Sequence, residues 1–317
     1  MGVQFVMSIT FLLLLTYGLA EAAAAPPMVK PNCAEFCGNV SIPYPFGMTA
    51  DCYLNDWFKI ICRAGNGSSA GNDSSVRAFL KFLPRINMEV LEIKIPNPIN
   101  VDDSYSYYNE PGIVRVKMPS IISLNCTSTG AINGGVNMKG SPFYFSSYRN
   151  KFISVGCNNI ALMTGSDPAV LVGCNSVCDN RTMIEGEAKC SGFNCCQTTV
   201  PYGNQVFNAN FKRKDEKNEG IEKCKYALLA EEEWFDSNIT NPSYEVPLLE
   251  DVTVVLDWTV SNFTDINSTE ADKRKAYSYT TDYGAKYYYC RRGYEGNPYL
   301  NTGCQGKLQL PTVLIFP

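Results

Sequence analysis

The sequence predicts a mainly β, disulfide-rich secreted glycoprotein with one short helix, and three observations lead there. Fourteen cysteines, an even number, all lie beyond residue 32. From Cys33 to about Lys151, short apolar runs alternate with Gly, Ser, Asn and Pro punctuation, as all-β domains do. Eight Asn-Xaa-Ser/Thr sequons accompany them, at Asn39, Asn66, Asn72, Asn125, Asn180, Asn238, Asn262 and Asn267, while Pro242 excludes Asn241.

Residues 1–25 read as a signal peptide. Phe5 to Ala20 is an apolar run too short to span a bilayer, and Ala20-Glu21-Ala22 with the alanines to Ala25 supplies cleavage sites. Met1 to Gln4 holds no Lys or Arg, so the α-amino group is the leader's positive end. Roughly 290 residues remain, enough for one large domain or two modest ones. In an oxidising compartment Cys33, Cys37, Cys52, Cys62, Cys126, Cys157, Cys174, Cys178, Cys190, Cys195, Cys196, Cys224, Cys290 and Cys304 are expected as disulfides. Their connectivity stays open, with on the order of 10⁵ pairings by counting.

Along the chain, Gly65 to Ser75 carries two sequons and four serines and reads as an exposed glycosylated loop. Met88 to Ile95 is an irregular strand with Glu89, Glu92 and Lys94 as its polar members. Val114 to Met118 is a clean period-two strand that puts Arg115 and Lys117 on one face. Tyr144 to Val155 reads as a hairpin turning near Arg149-Asn150. Ala169 to Val172 and Val252 to Val260 are further strands. Ile221, Cys224, Leu228 and Phe235 recur at helical spacing and predict the short helix, with the charges of Lys212 to Lys225 and the run Glu231 to Glu233 read as solvated.

Histidine is absent, which removes Ser-His-Asp and Cys-His catalysis and His-ligated zinc. Carboxylate pairs survive as possible chemistry, and Glu89, Glu92, Asp102 and Asp103 are present, but no spacing singles out a catalytic pair. Residues 26–151 hold twelve Lys or Arg against nine Asp or Glu, net +3, and residues 152–317 hold fifteen against twenty-one, net −6. The amino-terminal part is therefore the better place for an acidic polymer. No metal site is identified.

Three segments carry sharper information. Cys37 to Cys62 reads CGNVSIPYPFGMTADCYLNDWFKIIC; Pro43 and Pro45 fix φ near −65° and bias Ile42 and Tyr44 toward extended backbone. Tyr44 and Phe46 read either as core aromatics or as surfaces for stacking. Cys190 to Pro201 reads CSGFNCCQTTVP, whose vicinal Cys195 and Cys196 suit a disulfide knot rather than a redox centre. Cys290 to Gln305 reads CRRGYEGNPYLNTGCQ.

The first of these resembles the opening of the galacturonan-binding region of plant wall-associated receptor kinases, in which Cys-Gly-Asn leads to Pro-Tyr-Pro-Phe-Gly and then to Cys, Phe and Cys. The second resembles that family's Cys-Cys-Gln-Thr stretch, and the third the closing half of its epidermal-growth-factor-like repeat. Tyr288 stands where such a repeat has a further cysteine, so Cys290 and Cys304 are expected to pair in a degenerate module. The resemblance implies a galacturonan-binding cysteine-rich β domain at 26–151, a wall-associated-kinase-type region at 152–265, a degenerate epidermal-growth-factor-like segment at 266–305 and an atypical tail at 306–317. Leu308 to Phe316 is too short to span a membrane, and no Gly-rich loop, His-Arg-Asp or Asp-Phe-Gly of a kinase is found.

The implied function is non-catalytic binding of pectin or oligogalacturonides outside the cell, in the cell wall or at the outer face of the plasma membrane. Arg63, Arg77, Lys81, Arg85, Arg115, Lys117, Arg149 and Lys151 are candidates for the polymer's carboxylates, with Tyr44 and Trp57 as stacking surfaces. Arg115 with Lys117 is the leading pair. No cofactor is expected, calcium acting only through pectin, and no nucleic acid. The competing readings are an extracellular protein-interaction module or decoy receptor, and a pectin-acting glycosidase.

Overall fold

A computed structural model describes residues 25–64, 76–82, 86–98, 109–124, 135–156, 158–165, 170–177, 190–212, 224–260 and 268–306. The leader, the tail after Gly306, Cys126, Cys157, Cys178, Arg85, Asp102, Asp103 and six of the eight sequons lie outside these residues. In chain order the strands are β1 (Phe36–Cys37), β2 (Val40–Ser41), β3 (Ile60–Ala64), β4 (Val76–Phe82), β5 (Ile86–Lys94), β6 (Asn97–Pro98), β7 (Asn109–Glu110), β8 (Gly112–Met118), β9 (Ile121–Leu124), β10 (Val136–Asn137), β11 (Phe143–Phe145), β12 (Asn150–Val155), β13 (Asn159–Thr164), β14 (Val170–Ser176), β15 (Cys195–Thr199), β16 (Val206–Lys212), β17 (Lys225–Glu231), β18 (Val252–Trp258), β19 (Ala276–Thr280), β20 (Lys286–Cys290), β21 (Tyr294–Gly296) and β22 (Cys304–Gly306). The fold is mainly β, as expected.

Three antiparallel sheets form the body. Their strand orders are β11-β18-β8-β5-β4-β3, β15-β12-β17-β9 and β10-β16-β13-β14. The expected strands over Met88 to Ile95, Val114 to Met118, Ala169 to Val172 and Val252 to Val260 correspond to β5, β8, β14 and β18. A bulge between Val90 and Glu92 accounts for the rougher pattern of β5. The boundary expected at residue 151 falls inside β12, and β18, from beyond it, sits between β8 and β11.

Three expectations are corrected. The helical spacing across Ile221 to Phe235 covers a strand, because Lys225 to Glu231 is β17, buried at every position between β12 and β9. A strand covered on both faces carries a continuous apolar run, which has no period to distinguish it from a helix. The helix begins only at Glu232, runs to Asn238 and buries Phe235. Lys225 and Glu231, read as solvated, are 4% and 3% exposed. The hairpin expected over Tyr144 to Val155 does not form either: β11 pairs with β18, whereas β12 pairs with β15 and β17. Asn150 makes the transfer between sheets. Its buried amide donates to the carbonyls of Ser146 (2.9 Å) and Val255 (2.7 Å) and accepts from Val255 N (2.9 Å).

The opening motif is part of the core. Phe46 is 1% exposed and meets Phe58 (5.1 Å) and Trp258 (5.5 Å) edge to face, and Trp258 continues the column to Tyr299 (5.3 Å). Trp258 lies over Gly112, where a Cβ would stand 2.4 Å from the indole, so only glycine fits. Gly47 is held for the same reason, its missing Cβ leaving room for the backbone of Cys52 at 2.5 Å. The Tyr44–Pro45 peptide is cis.

Disulfides join Cys33–Cys52, Cys37–Cys62, Cys174–Cys196, Cys190–Cys195 and Cys290–Cys304. Cys195 and Cys196 therefore staple two different segments, the expected knot. Cys290 and Cys304 pair as the degenerate module requires. The segment they bracket is docked onto the opening motif by Asn297, which is fully buried. Its amide donates to the carbonyls of Tyr44 (2.6 Å) and Met28 (2.9 Å), and its oxygen accepts from Tyr299 N (3.0 Å).

Candidate functional site

The register gathers most of the sequence-predicted cations on one sheet face. Arg63 of β3 stands directly opposite Arg77 of β4, and Lys81 falls two positions beyond Phe79 on the same strand. Phe79 faces Glu89 of β5, and Glu89 faces Lys117 of β8. After the bulge, Glu92 faces Arg115. Arg63, Arg77, Arg115 and Lys117 thus share one face with two interleaved carboxylates, and Lys81 holds a register position of the same parity.

These cations are not equivalent. Arg115 is committed to the structure: its Nη2 and Nε lie 2.6 and 3.1 Å from Glu231 Oε2, and that carboxylate is buried. Its guanidinium pKa is raised, chiefly by that hydrogen bond. Arg77 makes an exposed contact of 3.5 Å to Glu89, of the kind worth about 0–1 kcal/mol. Lys117 is exposed and near Asp251, whose carboxyl is pushed up by burial and by Glu250 and Glu89 against the attraction of Lys117. Arg63 is exposed and has no ion pair among the described residues.

The remaining candidates lie elsewhere. Arg149 contacts Glu110 at 3.0 Å, and Lys151, on β12, contacts Glu232 at 3.3 Å. Tyr44 is 5% exposed with Lys30 Nζ 4.6 Å from its ring centroid, so it is a core aromatic and offers no open face. Trp57 is half-buried against the core, in a turn capped by Asn55, whose side chain accepts from Trp57 N at 3.0 Å. Asn39 and Asn238 are exposed. Glu89 and Glu92 each face a cation and form no carboxylate pair with one another.

Sequence reasoning missed a second feature. A cleft of about 1040 Å³ opens where the end of β5, the Ser146–Arg149 turn and the Cys290–Gly296 segment converge over Pro43. It is lined by four cations, Lys94, Arg149, Arg291 and Arg292, against two carboxylates, Glu110 and Glu295. The adjacent Arg291-Arg292 pair was the available signal, lying inside a segment read for its cysteines alone. Beside the cleft, Asp257 is a buried carboxylate bonded to Ser146 and pushed up to about 7, with burial as the main cause. Its Oδ1 has no hydrogen-bond partner among the described residues. Among those residues no group of three or more His, Cys, Asp or Glu side chains could hold a metal, and no helix is long and apolar enough to cross a membrane.

Residues 33–103 match the family described as wall-associated receptor kinase galacturonan-binding, and residues 187–269 match the wall-associated kinase family. Wall-associated receptor kinase-like 3 of Arabidopsis thaliana is 33% identical over 314 residues, covering 90% of this chain and 40% of that protein. Wall-associated receptor kinase-like 6 is 33% identical over 306 residues, covering 86% and 44%, and wall-associated receptor kinase-like 1 is 36% identical over 223 residues, covering 67% and 27%. The chain spans about two fifths of the length of the first two relatives. No solved structure matches it. With both family regions in order and a third of its residues identical to these relatives over most of its length, the chain is a wall-associated-kinase-like ectodomain.

Proposed function

We propose that the protein binds galacturonan without catalysis, on the face of the β3–β4 edge, outside the cell and against the cell wall. The observation that carries this reading is the cross-strand pair Arg63 and Arg77, inside the region matched to the galacturonan-binding family. Like charges directly opposite one another destabilise a sheet by about 0.2–1 kcal/mol, and a carboxylate placed between them converts that repulsion into attraction. Arginine suits the task because its planar fork meets a carboxylate with two parallel hydrogen bonds.

Lys117 extends the positive track across β5, and Glu89 is a weak internal stand-in for the ligand. Its exposed 3.5 Å contact to Arg77 is readily exchanged for a uronate. Arg115 is a support and not a ligand, since Glu231 already occupies it. Calcium, on this reading, acts by cross-linking the polymer.

The test is retention of the secreted protein on immobilised polygalacturonate at low and high salt, with reducing ends assayed in parallel. Salt-sensitive retention, lowered about tenfold by Arg63→Ala with Arg77→Ala, is the expected result. New reducing ends would overturn the non-catalytic reading. Unchanged retention in the double variant would remove this face as the site.

A further inference from the structure

We propose that the cleft between the opening motif and the Cys290–Gly296 segment is a second anion-binding site, taking a short uronic-acid oligomer. The proposal rests on the galacturonan reading for the class of ligand, but apart from Lys94 its cations lie outside residues 33–103. The lining itself holds four cations against two carboxylates in a chain whose formal net charge is −4, and Glu92 and Asp272, paired with Lys94 and Arg291, bring the immediate balance to four against four. Its volume is at the upper end of small-ligand sites.

Three of the cations already have carboxylate partners. Lys94 has Glu92 at 3.0 Å, Arg149 has Glu110 at 3.0 Å, and Arg291 has Asp272. Arg291 is held in place further, its Nε donating to the carbonyl of Ala276 at 3.2 Å. Arg292 is exposed and has no ion pair among the described residues, which leaves its fork for a ligand. At the rim, Tyr148 is 65% exposed and meets Tyr202 edge to face at 5.1 Å, which sets an aromatic side chain among the cations of the cleft. An aromatic ring and guanidinium groups lining one cleft suit a uronic acid, whose sugar can pack on the tyrosine while its carboxylate meets an arginine.

Asn297 anchors this wall to the carbonyls of Met28 and Tyr44, so an oligomer in the cleft bridges the opening motif and the Cys290–Gly296 segment.

The test titrates a fluorescent short oligogalacturonate by anisotropy into the secreted full chain at low salt. In the Arg63→Ala, Arg77→Ala background, which isolates the cleft, Arg292→Glu and Tyr148→Ala are each expected to weaken binding about tenfold, and Lys212→Glu, an exposed cation on β16, to change it less than about twofold. Unchanged affinity in both cleft variants, with loss in Arg63→Glu, would overturn the cleft and leave the galacturonan reading standing. Equally tight binding of a polyglutamate of the same charge would overturn the saccharide assignment in favour of an acidic peptide. Absence of any galacturonate binding by the wild type would overturn both proposals.

Discussion

Replacing Asp257 by Asn should change how stability depends on pH more than it changes stability itself. The carboxylate sits on β18 opposite Tyr144, bonded to Ser146 and attracted by Arg149. The phenols of Tyr283, Tyr287 and Tyr289 are raised in turn, by burial first and by its charge among the lesser causes. Burial pushes its pKa from 3.8 to about 7. At about 1.4 kcal/mol per pKa unit, ionisation costs the folded protein roughly 4 kcal/mol more than the unfolded chain. Between those two values the folded state holds the extra proton, so stability falls as pH rises from about 4 to 7 and is level with respect to this group on either side. Asparagine keeps the shape and cannot ionise. Urea unfolding with disulfides intact, at pH 4 and pH 8, should therefore show the variant gaining roughly 4 kcal/mol relative to wild type across that interval. Parallel pH profiles for the two proteins would refute the reasoning.

Other perturbations test the packing. Arg115→Ala strands the buried Glu231 carboxylate and should cost about 2–4 kcal/mol in urea unfolding, whereas Arg115→Met with Glu231→Leu should recover most of it. Asn297→Ala removes bonds to Met28, Tyr44 and Tyr299 and should cost about 2–3 kcal/mol, with faster proteolytic cleavage within residues 290–306. Gly112→Ala drives a methyl into the indole of Trp258 and should cost about 1–3 kcal/mol or more, with a shift in tryptophan emission.

Local pattern was legible in some elements that turn one face to water, and in the fully buried β18 as well. β8 alternates and was read correctly, and the same alternation put Arg115 and Lys117 together. β17 is covered on both sides, so its apolar run was compatible with helix and strand alike. The turn before β12 failed for a different reason: Asn150 reaches a strand 105 residues away, which no short-range turn rule contains. The two surfaces differ in the same way. The cationic face follows from strand parity, although the burial of Glu231, which commits Arg115, needed the tertiary structure. The cleft draws on segments near Pro43, Lys94, Arg149 and Arg292, and within any one of them only the Arg291-Arg292 pair points to it. Family resemblance located the cysteine pairing at Cys290–Cys304 that spacing alone left open.

The place of β18 has a consequence for biosynthesis. It is the only neighbour of β8 on that side among the described residues, and the closest registered pair, Met118 with Val252, is separated by 134 residues of chain. At about 5–20 residues per second, a ribosome takes roughly 7–27 s to supply the missing strand. Throughout that interval β8 presents a bare row of amides and carbonyls, the kind of edge onto which a second chain can add. The exporting cell must guard this nascent edge, and a secreted piece ending before residue 252 would keep it for good.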